Sequence, residues 1–237
     1  MIVLVYTALF LIVLNKLFLS NGKHYFMSTV KEKSDFIPHF YELEAWNTQK
    51  VLFGVDEVGR GCLAGPVVTA AVKLNQYATH TLLQDSKLMT VKQRLEAYLW
   101  LKDNSIFAVS YTHHRIIDAI NIYQASLVCM KRSIAQLSVL IAQIPDLVVV
   151  DAMPVQFSTP DIPIIYFNFG ERQSASIAAA SIIAKVTRDA LMTRLCPLFN
   201  GYKLAQHKGY CTQAHKLALT TLGSSFIHRR SFLKNLE

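Results

Sequence analysis

The sequence predicts an α/β fold, a mixed sheet with helices on its faces, and three observations carry that reading. Three strand-like stretches come early, one later apolar run has no polar side at all, and the remaining strand candidates alternate with segments of helical spacing. Val51, Phe53 and Val55 alternate with Leu52 and Gly54, which reads as a first strand. PVVTAAVKL, from Pro66, reads as a second, and the short GRG-containing connection makes it an antiparallel neighbour. Thr90 is placed to N-cap VKQRLEAYLWL, and IFAVSY, from Ile106, follows as a third strand. From about Arg115 to Leu140 the apolar residues Ile116, Ala119, Ile120, Tyr123 and Leu127 keep helical spacing, enough for one or two helices. The run Leu147 to Val150 is what a central strand covered on both faces requires, and it ends in Asp151. PIIYF near Ile164 is another short strand, and SIAAASIIAKVTRDALMTRL, from Ser176, is a strong helix whose alanines permit close packing.

At 237 residues and 52% hydrophobic composition the chain can bury a good core, and it is not a disordered polymer. Its net charge of +8 is unevenly spread, with 14 Lys/Arg against 13 Asp/Glu in residues 1–170 and 10 against 3 in residues 171–237. A basic excess of that kind attracts polyanions, nucleic acid or an anionic membrane. Cys62, Cys129, Cys196 and Cys211 lie far apart without a C-x-x-C pair, which excludes a zinc-finger pattern or small disulfide scaffold and fits a reducing, cytoplasmic setting. The apolar leader of residues 1–26 is broken by Asn15 and Lys16, short of the ~20 residues of a spanning helix. MSTVKEKSD, from Met27, looks like an ordinary soluble N-terminus, so the leader is either an upstream misreading of the start or a real anchor.

Among 16 acidic residues, a few stand in dry surroundings. Asp56 and Glu57 end the first strand, Asp151 ends the wholly apolar one, and Asp189 follows Ile182 and Val186 along the seam of its helix. Burying such charges singly is costly, so a converging set implies raised pKa values or bound cations. Hard oxygen ligands without neighbouring His or Cys select Mg²⁺ or Mn²⁺ over Zn²⁺. Taken one at a time, the alternatives are local: Asp151 capping a turn, Asp189 pairing with Lys185, and Asp56 and Glu57 binding Arg60. His207, His215 and His228 have no acidic company and read as structural or phosphate-facing. Ser174 and Ser176 could donate to a phosphate at a helix N-terminus or simply cap it.

The blocks GVDEVGRGCLAGPVV, LQDSK, VVVDAMP, SASIAAASIIAKVTRD, HKGYCTQAHKLAL and HRRSF, in this order over roughly residues 51–232, resemble ribonuclease HII. The resemblance implies a ribonuclease H-like fold, a mixed five-stranded sheet flanked by helices with a small C-terminal helical region. It divides the chain into a leader (1–26), a polar entry segment (27–50), a catalytic core (51–195) and a basic helical region (196–237). It further implies a monomeric endonuclease, without membrane association, that cuts the RNA strand of RNA/DNA hybrids and at ribonucleotides embedded in duplex DNA, leaving 5′-phosphate and 3′-hydroxyl ends. Carried over residue by residue, Asp56, Glu57, Asp151 and Asp189 are the catalytic acids holding two Mg²⁺ or Mn²⁺ ions. Gly59, Arg60 and Gly61 contact the ribose and Tyr210 the neighbouring sugar, with Lys87, Lys185, Lys208, Arg229 and Arg230 suited to phosphates. The chain departs from the family pattern at Leu88, Cys62, Cys211 and in Phe169 with Glu171, which bears on phosphate affinity and loop geometry; thiols at Cys62 and Cys211 would make the site oxidation-sensitive.

Overall fold

The computed structural model describes residues 39–84, 86–157 and 162–234. The apolar leader, with both readings of it, and most of the polar entry segment lie outside the described residues. Among the described residues no helix is long and apolar enough to cross a membrane.

Strands β1 (Leu52–Val58), β2 (Val67–Leu74), β3 (Ser105–Thr112), β4 (Leu147–Asp151) and β5 (Ile164–Phe167) form a single sheet in the order β3-β2-β1-β4-β5. The β1–β2 and β2–β3 pairs are antiparallel, and the β1–β4 and β4–β5 pairs are parallel, so the expected mixed sheet is present. Helices α1 (Phe40–Asn47), α2 (Val91–Asn104), α3 (His114–Leu140) and α4 (Ala175–Leu195) flank it. The short α5 (Leu204–His207), α6 (Gln213–Leu222) and α7 (Arg230–Leu233) complete the chain.

The apolar run of β4 has its reason in this layering. Val148 and Val150 pack with Phe53 and Val55 against Met130, Ile134 and Leu137 of α3, while Val149 packs with Leu52 against Ile177 of α4. Both faces of the strand are dry, so no polar alternation survives. The one-or-two question resolves to two helical segments within α3, divided at Asn121, whose backbone (φ 65°, ψ 165°) leaves the helix while its Oδ1 accepts from Gln124 N at 3.0 Å to start the second segment. Thr90 caps α2 as expected, with Gln93 completing a reciprocal capping box.

Helix α4 begins one residue earlier than its spacing predicts. Ser174 is its N-cap, accepting from Ile177 N at 3.2 Å and donating to Oε1 of the buried Glu42 at 2.6 Å. The same Glu42 oxygen accepts from Ser176 N at 2.9 Å, so the positive end of α4 is held by a carboxylate of α1 and neither serine faces a phosphate.

Gly54 sets how closely α4 approaches β1. A Cβ at that position would lie 2.1 Å from the Ser176 carbonyl carbon and 2.5 Å from Ile177 N. The residue is required because the helix backbone occupies the space of a side chain. Gly54→Ala is therefore expected to cost about 1–3 kcal/mol or more by overpacking, read as a lower urea midpoint with an unchanged m-value.

Candidate active site

Asp56, Glu57 and Asp151 are brought to one edge of the sheet by the β1–β4 pairing, in which Val55 stands opposite Val150 and the acids follow. Asp56 is buried, with Oδ1 accepting from Glu57 N at 2.6 Å. Burial first, then the charges of Glu57 and Asp151, lifts its carboxyl well above the usual range, against hydrogen bonds from Ser181 and the Glu57 amide. Ser181 in turn shares a 2.7 Å hydrogen bond with Ser86, tying the DSK segment to the same place. Glu57 is also raised, chiefly by burial; Arg60 opposes this, Asp151 adds to it, and Lys87 opposes it. Arg60 Nη1 lies 3.4 Å from Glu57 Oε1, whereas Glu57 Oε2 is buried with no hydrogen-bond partner. Asp151 Oδ1 accepts from Gly170 N at 2.9 Å.

Asp189 is placed differently. It is partly exposed on α4, and its Oδ1 accepts from Lys185 Nζ at 3.0 Å, the local pairing open to it from sequence. It stands eight residues beyond Ser181, about 12 Å of helix. The structure thus gathers three acids into one electrostatic group and leaves the fourth farther along the helix. Among the described residues no three His, Cys, Asp or Glu side chains close around a point as a ready-made ion cage. The donor set nevertheless fits a divalent cation: the ligands are hard oxygens, one of them has its buried Oε2 unpartnered, and mutual repulsion raises Asp56.

The loop that follows β1 is built from behind. Two fully buried guanidiniums, Arg188 and Arg229, spend their N–H groups on backbone carbonyls. Arg229 donates to Gly65 O (3.0 Å), Arg60 O (2.7 Å) and Gly59 O (2.7 Å). Arg188 donates to Pro66 O (2.9 Å), Lys208 O (2.9 Å) and Ala64 O (3.1 Å). The expectation that Arg229 meets phosphate is thereby overturned: it has no surface to offer, and burial pulls it down to about 10, still charged at neutral pH. Gly59 (φ +91°) is required twice over, because a Cβ there would fall 2.2 Å from Arg188 Nε. Arg188 lies on the Ile177–Ala184 seam of α4, so helical spacing alone marks it as a buried cation, a signal that attention to Asp189 passed over.

Tyr210 faces this loop across an isolated bridge to Cys62. Its ring lies under two cations, Lys185 Nζ at 5.1 Å and Arg188 Cζ at 5.6 Å from the centroid. Burial, followed by the nearby Cys62, pushes its phenol up to about 12. Cys62 is wholly buried and its thiol is raised by burial, so the thiolate that oxidants attack is disfavoured there; Cys211 is exposed. Lys87 and Arg230 are exposed, and Lys208 Nζ donates to Thr193 Oγ1 at 2.9 Å.

The three histidines form a buried network behind Tyr210. His228 Nδ1 accepts from Ser225 N at 2.9 Å, so its proton sits on Nε2 and points at His215 Nε2, 3.0 Å away. His215 then carries its proton on Nδ1, donating to Tyr210 O at 2.9 Å. His207 accepts from Gly209 N at 3.2 Å and donates to Tyr202 O at 2.7 Å, its ring stacked on His215 at 4.2 Å. All three are neutral and structural.

Two outcomes are expected. Asp56→Asn should raise the melting temperature of the ion-free protein, by about 2–4 °C per kcal/mol of relieved repulsion, and weaken the stabilisation that added Mg²⁺ gives the wild type; calorimetry with and without the ion measures both. Burial lowers His207, His215 and His228, the last to about 4. Their contribution to stability is complete above the unfolded-state value of about 6.5 and is lost as pH falls toward about 4. Asp56 and Glu57 act with the opposite sign, so the measurement is a comparison: His228→Asn should melt with a shallower loss across that window than the wild type.

Comparison with known proteins places the chain in a family. The family model described as ribonuclease HII matches residues 53–235. Curated relatives include a ribonuclease HII from Alkaliphilus metalliredigens, 44% identical over 77% of this chain and 90% of that protein. One from Pelagibacter ubique is 42% identical over 77% of this chain and 96% of that protein. Among solved structures, ribonuclease H2 from Pyrococcus horikoshii superposes with a TM-score of 0.62 at 22% identity, covering 79% of this chain and 97% of that one. RNase HII in the PCNA:RNase HII complex from Archaeoglobus fulgidus gives 0.63 at 22% identity, covering 76% and 94%. A Bst-RNase HIII solved in complex with Mn²⁺ gives 0.61 at 16% identity, covering 79% and 69%. With five strands in the expected mixed order and a family match spanning most of its length, the chain is a ribonuclease H-type endonuclease and belongs to the ribonuclease HII family.

Proposed function

We propose that this protein hydrolyses the RNA strand of RNA/DNA hybrids and incises duplex DNA at single embedded ribonucleotides, leaving 5′-phosphate and 3′-hydroxyl ends. The reading takes the enzyme to act as a cytoplasmic monomer. The observation that carries it is the adjacency of buried acids to a rigid glycine-containing loop: Asp56 and Glu57 end β1 and Gly59–Gly61 follow at once. Asp56, Glu57 and Asp151 would hold Mg²⁺ or Mn²⁺, which would supply charge neutralisation at the phosphate and an acidified water, whereas Asp189, expected from sequence as a fourth ligand of a two-ion site, is set apart and paired with Lys185.

The remaining chemistry belongs to the chain. Water adds its oxygen to phosphorus and gives up a proton, the P–O3′ bond breaks, and O3′ takes up a proton to leave as the 3′-hydroxyl. Arg60, paired with Glu57 at 3.4 Å and partly exposed, lies at the mouth of the loop, and its charge opposes the repulsion among the acids. Gly59, Arg60 and Gly61 bring backbone groups within reach of a sugar, where the 2′-hydroxyl, donor and acceptor at once, separates RNA from DNA. Tyr210, braced by Lys185 and Arg188, offers a ring for the adjoining sugar. Lys87 and the C-terminal lysines would position the duplex through phosphates without reading sequence.

Asp56→Asn should reduce cleavage of a duplex carrying one ribonucleotide by at least about a thousandfold while duplex binding persists. Turnover near the wild-type rate in that assay would remove Asp56 from the chemistry. Arg60→Ala should lower incision at an isolated ribonucleotide by about tenfold, with little change in melting temperature; equal activity would refute the loop assignment.

A further inference from the structure

The two buried arginines do more geometrically than fill space. In a trans peptide the carbonyl and the following N–H point in opposite directions, and none of the described peptides is cis. Arg229 takes the carbonyls of Gly59 and Arg60 at 2.7 Å each. The N–H groups of the same two peptides, those of Arg60 and Gly61, must then point away from the guanidinium. Gly61 is exposed and has nothing within 4 Å of where a Cβ would stand, so the outward side is open. One planar fork thus holds two successive peptides in a common orientation, with a third bond to Gly65 closing the loop's far end.

Arg188 joins this unit to a second one. It abuts Gly59, holds Ala64 O and Pro66 O on the loop side, takes Lys208 O in the turn before Tyr210, and lies 5.6 Å from the Tyr210 ring centroid. Backbone bonds reinforce the joint: Leu63 N donates to Gly209 O at 2.8 Å, and Arg229 N to Leu63 O at 2.8 Å. The N–H groups of both guanidiniums are met by backbone carbonyls, with the charge of Asp118 also favouring the cation at Arg229. Burying a cation is costly, and what the structure obtains from it here is a fixed loop geometry.

We propose that Arg229 is a specificity-determining positioning residue: by holding the Gly59 and Arg60 carbonyls it presents the Arg60 and Gly61 N–H groups to the 2′-oxygen of the ribonucleotide, with Arg188 locking that loop to Tyr210. The inference rests on the proposed role of residues 59–61 in contacting ribose. Arg229 acts through the loop and touches no substrate. Lysine retains the charge but has one donor centre in place of the three-nitrogen fork, so it separates electrostatics from geometry.

The test uses the full chain and its Arg229→Lys variant. Affinity for a duplex with one ribonucleotide and for the same duplex in all-DNA form is measured by fluorescence anisotropy in Ca²⁺, and incision is measured in Mg²⁺. Arg229→Lys should lose about tenfold of the preference for the ribonucleotide duplex, with all-DNA affinity changed by less than about twofold. A uniform loss on both duplexes, or an unchanged preference, overturns the proposal. If the wild type itself neither prefers nor cuts the ribonucleotide duplex, the proposed function is what fails. A second measurement needs no variant: the backbone order parameters of Arg60 and Gly61 in the wild type should match those of β1, about 0.85. Values below about 0.6 would overturn the proposal even if Arg229→Lys does not fold.

Discussion

Helix α4 rests on the bare backbone of β1 at Gly54, and the site depends on that contact. Because the helix cannot slide without driving Ser176 and Ile177 into the strand, each later residue of α4 meets a definite point on β1. Ser181 falls beside Asp56, Lys185 and Asp189 beyond it, and Arg188 against Gly59. One close approach therefore sets the register between the strand that carries two acids and the helix that carries another.

The charges are arranged by depth. Acids lie at the sheet edge with partial relief from Arg60 and Lys87, and burial leaves Asp56 and Glu57 raised. The two arginines that could have paired with them are turned to carbonyls a few residues away. Repulsion among the carboxyls is left in place where a cation can relieve it, a local cost of the kind that functional sites retain.

Much of this was legible in sequence because the signals were periodic or chemically conspicuous. The two-sided apolar run of β4 and the Thr90 cap each follow from a single local rule, and the structure bears them out. What sequence reading missed is non-local. Glu42 reaches α4 across 132 residues, and Arg229 reaches Gly59 across 170, and no spacing rule encodes either. Arg229 looked like a phosphate contact because a basic tail normally stays in water, and only its tertiary partners reveal that it is internal. The carbonyls around the loop glycines are held by two buried guanidiniums, partners that no local sequence rule announces.

Glu42 has a bearing on how a polyanion approaches. A free helix start is a ready docking point for phosphodiester, and α4 runs for 21 residues from its Ser174 cap. With an internal carboxylate already seated there, this helix start is closed to an external anion.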